Sequence, residues 1–271
     1  SAGAWTDYDA DFLRKAAEDK AAEFGYIEIQ NVTTQYGVFA IAGPKSRDVL
    51  KELIKDADPE SALSNKRFPW LSAQRIELGM CPVDAIRVAY TGELGWELHH
   101  PIEMQRYLWD QLMAAGAKHG LKLVGARAQN WLRQEKSYRA FGTELGRDAT
   151  PLEADLPRFV DLSKDFHGKA AMEATGIRSK CVTVLIDGPA DADPWGKEAL
   201  IDPATGAKVG RLTSGGYSVV FGKQIGMGYV SVEKAEVGTK LKVRMMRELW
   251  DAEVVQDSPY DPANANIRVD G

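Results

Sequence analysis

The sequence changes character near residue 180, and that change constrains the fold more than any other feature. Upstream, helical and extended periodicities are mixed. Downstream, every apolar run is short, alternating, and bounded by Gly, Asp or Pro. The runs CVTVLIDG, GKEALID, AKVGRLTSG, YSVVFGKQIGMGYV, TKLKVRMM and LWDAEVVQ follow one another at the spacing of a small barrel or sandwich. Strands that bury one face alternate, and the turns between them need residues tolerant of unusual backbone angles. A chain of 271 residues is long enough for two cores at roughly 150 residues each. We therefore expect an α+β unit over 1–178 and an all-β unit over 179–271.

Within the first unit, residues 6–24 place Phe12, Leu13, Ala16, Ala17, Ala21 and Phe24 on one helical face, with Thr6 or Asp7 expected as N-cap and Gly25 as the stop. Residues 26–32 alternate in part and 36–42 are nearly all apolar, so both are expected as strands. Gly43-Pro44 turns into a helix carrying Val49, Leu50, Leu53 and Ile54. Strands are expected over 72–78 and 83–89, and helices over 103–119 and 126–139, the first stopped by Gly120. Helix text begins a few residues after Ser1, with no initiator Met and no leader strand, so the expectation is a fragment of a longer chain.

Several classes of function are excluded at this level. Lys and Arg number 34 against 39 Asp and Glu, a net charge of −5 that lacks the basic footprint of a general nucleic-acid binder. No apolar run approaches the roughly 20 residues that cross a bilayer, and the N-terminus lacks the pattern of a signal peptide. Cys81 and Cys181 form neither a disulfide framework nor a CxxC site, and the four histidines show no zinc spacing. There is no GxSxG elbow and no GxxxxGK[ST] loop, and the glycines at 226 and 228 precede no helix pattern.

Three segments could carry chemistry. In AYTGELGWELHHP (89–101), Gly92 and Gly95 bracket a tight turn and Glu97 lies on the strand that leaves it. Glu97, neighboured by the aromatics Tyr90 and Trp96, could receive paired donors from a flat heterocycle. On spacing alone the segment reads rather as a plain hairpin with Glu97 solvated and both aromatics in the core. In GARAQNWLRQEKSYRAFG (125–142), Lys136 and Arg139 read as a solvated basic face, whereas Arg127 stands at a helix start. The helix dipole disfavours a cation there, which calls for an external or long-range anionic partner. In 212–229, Gly215-Gly216 marks a bulge or hairpin, and packing and binding both remain open.

Taken in order and spacing, AYTGELGWELHHP, GARAQNWLRQEKSYRAFGTELGRDATPLEADL, LSKDFHGKAAM and VGRLTSGGYSVVFGKQIGMGYV resemble the aminomethyltransferase family, the glycine cleavage T-protein and its tetrahydrofolate-binding relatives. LRQEKSYRAFGTEL with TPLEADL resembles the folate domains of dimethylglycine and sarcosine dehydrogenases more than the T-protein itself. The resemblance covers nearly the whole chain, while the family's N-terminal portion has no counterpart in it. It implies a folate-binding α+β core with ferredoxin-like parts, followed by a small C-terminal β-barrel.

The resemblance also implies roles. Glu97 matches the carboxylate that holds the pterin's amino-pyrimidine edge, Tyr90 the aromatic beside it, and Arg127 a basic residue near the folate's glutamate tail. The family's aspartate that positions or activates the reactive nitrogens lies upstream of the matched segment, so no catalytic residue is assigned and this chain alone is expected to hold an incomplete site. The implied function is tetrahydrofolate-dependent one-carbon transfer, with a small methylated amine as donor. A non-catalytic folate-binding scaffold and a folate-dependent O- or S-demethylase are the alternatives. No metal is implied. No flavin fingerprint occurs in the sequence, so any flavin partner is expected in a separate domain or subunit. The implied setting is the bacterial cytoplasm or the mitochondrial matrix.

Overall fold

The computed structural model describes residues 5–270. Helix α1 (Thr6–Phe24) has the expected bounds, but Trp5 rather than Thr6 or Asp7 occupies the N-cap position, and none of the helix's residues is buried. Residues 26–32 form no strand. A strand needs an edge to pair with, and this stretch has none: Tyr26 is 88% exposed.

Four antiparallel strands form the sheet of the first unit. They are β1 (Tyr36–Ala42), β2 (Ala73–Leu78), β3 (Cys81–Ile86) and β4 (Gly95–Pro101), in the order β1-β4-β3-β2. Between β1 and β2 come α2 (Ser46–Lys51) and the single turn α3 (Pro59–Ala62), whose N-cap Asp58 accepts from the Ser61 amide. After β4 come α4 (Gln105–Ala117), α5 (Ala126–Glu135) and α6 (Lys169–Thr175). One face of the sheet is covered: Ile41, Trp96 and Leu98 pack with Val49 and Leu50 of α2 and Leu108 and Leu112 of α4 in a single core. Strand alternation sends Val38, Ala40, Glu97 and His99 to the opposite face. There Val38 and Ala40 are exposed. Helix α5 stops at Glu135, short of the expected residue 139, because Ser137 takes a positive φ of 54° and breaks the helical ladder.

The all-β unit contains β5 (Ser179–Ile186), β6 (Ala199–Ile201), β7 (Lys208–Ser218), β8 (Lys223–Ser231), β9 (Lys240–Met245) and β10 (Glu248–Val255). They close in the order β10-β5-β8-β7-β6-β9. Closure pairs both edges of every strand, which removes the aggregation-prone edges of an open sheet. Val184, Ile186, Leu200, Leu212, Val230 and Val243 fill the interior. The fold is therefore the α+β unit and C-terminal barrel anticipated above.

Beyond β10 the chain returns across the first unit. Val269 O accepts from Arg47 Nη2 at 2.9 Å, Asn65 Nδ2 donates to Arg268 O at 2.7 Å, and Ile267 is buried. The basic run on and after α5 is where the sequence reading needs correction. Lys136 is not solvated: its Nζ donates to Asp261 O at 2.6 Å and Asn264 Oδ1 at 2.9 Å, both on the returning segment. Arg139 is likewise enclosed, donating to Asp257 Oδ1 at 2.6 Å and Ala154 O at 2.9 Å. Both sit where the two units and the returning segment meet, so the cations that look like a surface face in one dimension are interior in three.

Arg133 anchors the same junction. It donates to Glu144 Oε2 at 2.9 Å, Ser214 Oγ at 2.6 Å, Tyr138 O at 2.8 Å and Asn130 Oδ1 at 2.9 Å. Glu144 also accepts from the Thr213 hydroxyl at 2.7 Å and the Ala140 amide at 2.9 Å. Burial pushes the Glu144 carboxyl up, but Arg133 and the Ser214 and Thr213 hydroxyls outweigh it and hold the group below the ordinary carboxylate value. Full satisfaction is what makes a buried charged cluster tolerable.

Candidate functional site

Glu97 stands in the middle of β4, opposite Ala40 of β1 and Ile86 of β3. Small and apolar neighbours on both sides leave a flat floor around one carboxylate. The side chain is 41% exposed, and its one hydrogen-bond partner among the described residues is His99 Nε2 at 3.4 Å. His99 was not singled out from the sequence; strand alternation, which places 97 and 99 on one face, is the signal that finds it. A concavity of about 680 Å³ adjoins this face, walled by Val38, Ile86, His99, Asp84 and the 30–33 segment. Glu97 is not in its wall, but its cross-strand neighbour Ile86 and its partner His99 are.

Tyr90 lies in the loop between β3 and β4. Gly92 takes φ 82° there, and a Cβ at that position would come within 2.3 Å of Lys136 Cγ, so the turn depends on glycine. The Tyr90 hydroxyl donates to Arg139 O at 3.2 Å, and its ring stacks on Tyr138 with centroids 5.9 Å apart and planes 19° from parallel. Burial raises the phenol's pKa, keeping it a neutral donor. The plain-hairpin reading is right for Trp96, which is fully buried, and fails for Tyr90, which is half-exposed.

Arg127, in the first turn of α5, does have a long-range anionic partner. Its Nη2 donates to Asp193 Oδ2 in the 188–194 loop of the barrel unit, and its guanidinium lies 5.4 Å over the Trp131 ring. Asp193 escaped the sequence reading because nothing in GPADADP ties it to a residue 66 positions away. No hydrogen bond, ion pair or ring contact joins Glu97, Tyr90 and Arg127 to one another among the described residues. A second concavity, about 510 Å³, runs along the free edge of β1 beside Trp109, Leu112 and the 121–124 segment, and none of the three lines it.

Among the described residues no group of three or more His, Cys, Asp or Glu side chains is arranged to hold a metal ion, and no helix is long and apolar enough to cross a membrane. Both cysteines are buried and unpaired, and burial pushes the Cys181 thiol up to about 12, which leaves it inert at neutral pH.

Comparison with known proteins fits this architecture. A family model described as the GCVT N-terminal domain matches residues 1–164, and one described as the glycine cleavage T-protein C-terminal barrel domain matches 180–261. Mouse mitochondrial dimethylglycine dehydrogenase is 39% identical over 264 residues, which is 94% of this chain and 29% of that protein. The aminomethyltransferase of Caldanaerobacter subterraneus subsp. tengcongensis is 32% identical over 86% of this chain and 61% of its own length. The chain thus spans a little under a third of the dehydrogenase and about three fifths of the aminomethyltransferase. Among solved structures, glycine cleavage system aminomethyltransferase T from Bartonella henselae superposes with a TM-score of 0.74 at 22% identity, over 95% of this chain and 66% of that one, which shows a shared fold. On these matches, the chain belongs to the glycine cleavage T-protein family.

Proposed function

We propose that this chain binds tetrahydrofolate and orients it for one-carbon transfer, within a protein of the dimethylglycine or sarcosine dehydrogenase type. The observation that carries the reading is the Glu97 carboxylate on the uncovered sheet face, flanked by Ala40 and Ile86 and tied, among the described residues, only to His99. A carboxylate presents two acceptors side by side, which suits the amino-pyrimidine edge of a pterin, and an apolar floor suits the ring face. Arg127 commits one N–H to Asp193 and keeps the rest of its fork for a tail carboxylate. Tyr90 serves as a wall on the loop side. A paired acceptor for the head and a cation for the tail are the groups that a folate calls for.

When bound, tetrahydrofolate supplies the nucleophilic nitrogens that take up the one-carbon unit. The chain's own residues bind and orient: Glu97 holds the pterin head, and Arg127 the tail. Holding reactant geometry in this way is a large part of catalysis in a transfer reaction. A flavin domain elsewhere in the longer protein, as the dehydrogenase relatives suggest, would oxidise the methylated amine that donates the carbon. The mitochondrial names of those relatives suggest the matrix as its setting.

The test is calorimetric titration with tetrahydrofolate. Glu97→Gln, which keeps the shape and removes the charge, is expected to weaken binding by about 1–3 kcal/mol. An unchanged affinity removes Glu97 from the site. Turnover of dimethylglycine and of sarcosine by the longer protein, with formaldehyde trapped in the absence of folate, identifies the donor.

A further inference from the structure

Gly215-Gly216 on β7 explains how the barrel reaches Arg127. A Cβ on Gly216 would lie 2.1 Å from Trp131 Cδ1, and one on Gly215 would lie 2.4 Å from Pro194 O. Only a strand bare at both positions lets α5 and the 188–194 loop settle side by side on it. The loop is further fixed by Gln224, fully buried in the barrel, whose Nε2 donates to Pro189 O at 2.6 Å. The seat therefore brings both Trp131 and Asp193, the neighbour of Pro194, against one guanidinium.

The two partners of that ion pair are unequal. The Asp193 side chain is only 10% exposed, whereas Arg127 is 65% exposed. The carboxylate is thus the fixed member and the guanidinium the presented one. The Trp131 ring backs the guanidinium, its centroid 5.4 Å from the guanidinium carbon, and the Asp193 contact fixes Nη2, while Nε and Nη1 have no hydrogen-bond partner among the described residues. A planar fork held in this way is pre-organised for a carboxylate, because ordering a long side chain otherwise opposes binding.

We propose that Asp193 and Trp131 are positioning residues that hold Arg127 ready for an α-carboxylate of the folate tail. The barrel thereby sets affinity for the tail without touching the pterin. This rests on the folate reading above and adds to it a division of labour: sheet for the head, barrel for the tail.

The test compares tetrahydrofolate with tetrahydropterin, which has the same ring system and no tail, on the parent protein and on Asp193→Asn and Trp131→Leu, with unfolding midpoints measured alongside. Asp193→Asn is expected to weaken tetrahydrofolate binding by roughly five- to tenfold and leave tetrahydropterin unchanged. Trp131→Leu is expected to show the same selectivity, and Asp193→Glu to restore part of the loss. Tighter or equal tetrahydrofolate binding by Asp193→Asn overturns the proposal, since Asp193 would then compete with the ligand or ignore it. Equal losses for both ligands also overturn it, because they mark a general structural role. If the parent protein binds neither compound, the folate reading itself fails and this proposal with it. If the parent binds both and only the variants are indifferent, the folate reading stands and this proposal alone falls.

Discussion

Helices α1 and α5 reverse what their sequences suggest. The first carries Phe12, Leu13 and Phe24 in a helical repeat, yet these side chains are 59%, 49% and 67% exposed. The second is rich in charge and amide groups, yet buries Arg133, Gln134 and Glu135. Periodicity states which face a helix can bury, whereas burial itself needs a partner surface. For α5 that partner is β7 of the barrel, which offers Ser214 Oγ to Arg133, Gly215 O to Gln134 and Ser218 Oγ to Glu135. Arg133, Glu135 and the Gln134 amide nitrogen are each answered by a group of opposite hydrogen-bonding character, and that matching replaces apolar packing.

The contrast is broken most forcefully at Glu144. Glu144→Ala leaves Arg133 charged and buried without its counter-ion, so we expect a loss of about 3–5 kcal/mol in urea unfolding. A loss below 1 kcal/mol, roughly the worth of a surface pair, would mean the cluster is solvated in solution.

A smaller and pH-dependent effect is expected where the first unit joins the barrel. The Arg178 guanidinium, aided by the Thr150 and Arg178 amides, holds the Glu153 carboxyl at about 2, below its ordinary 4.5. A depressed folded-state value stabilises the protein above pH 4.5 and loses that contribution as pH falls toward 2. The stability of Glu153→Gln should therefore lie below that of the parent above pH 4.5 and converge on it as pH drops toward 2. Parallel stability curves would dismiss the pair.

The smallest effect belongs to α1. Phe12→Ser should change the unfolding free energy by no more than about 0.5 kcal/mol, since the side chain is exposed. A large loss would reveal a partner surface for this helix in solution.

The architecture is legible in the sequence because it rests on local signals. Alternation and turn residues mark the barrel strands, and the boundary near 180 follows from where those signals begin. What escapes is whatever depends on distant chain. Residues 26–32 alternate like a strand but find no edge. Lys136 and Arg139 read as solvent-facing because the carbonyl and carboxylate that enclose them arrive from 257–264, more than 100 residues later. Glu97 and Arg127 stand out through motifs that resemble the family's, while His99 follows from period-two geometry once β4 is known. Asp193 and the role of Gly215-Gly216 become visible only when the two units are seated together.

The returning tail has a mechanical consequence. Residues 257–270 carry the chain out of the barrel and back over the first unit, so the polypeptide crosses the boundary a second time, fastened at Arg47, Asn65 and Lys136. A barrel moored at both of its ends cannot swing on one tether. Access to ground between the two units must then come from loops yielding, and partial melting of either unit is penalised by the other.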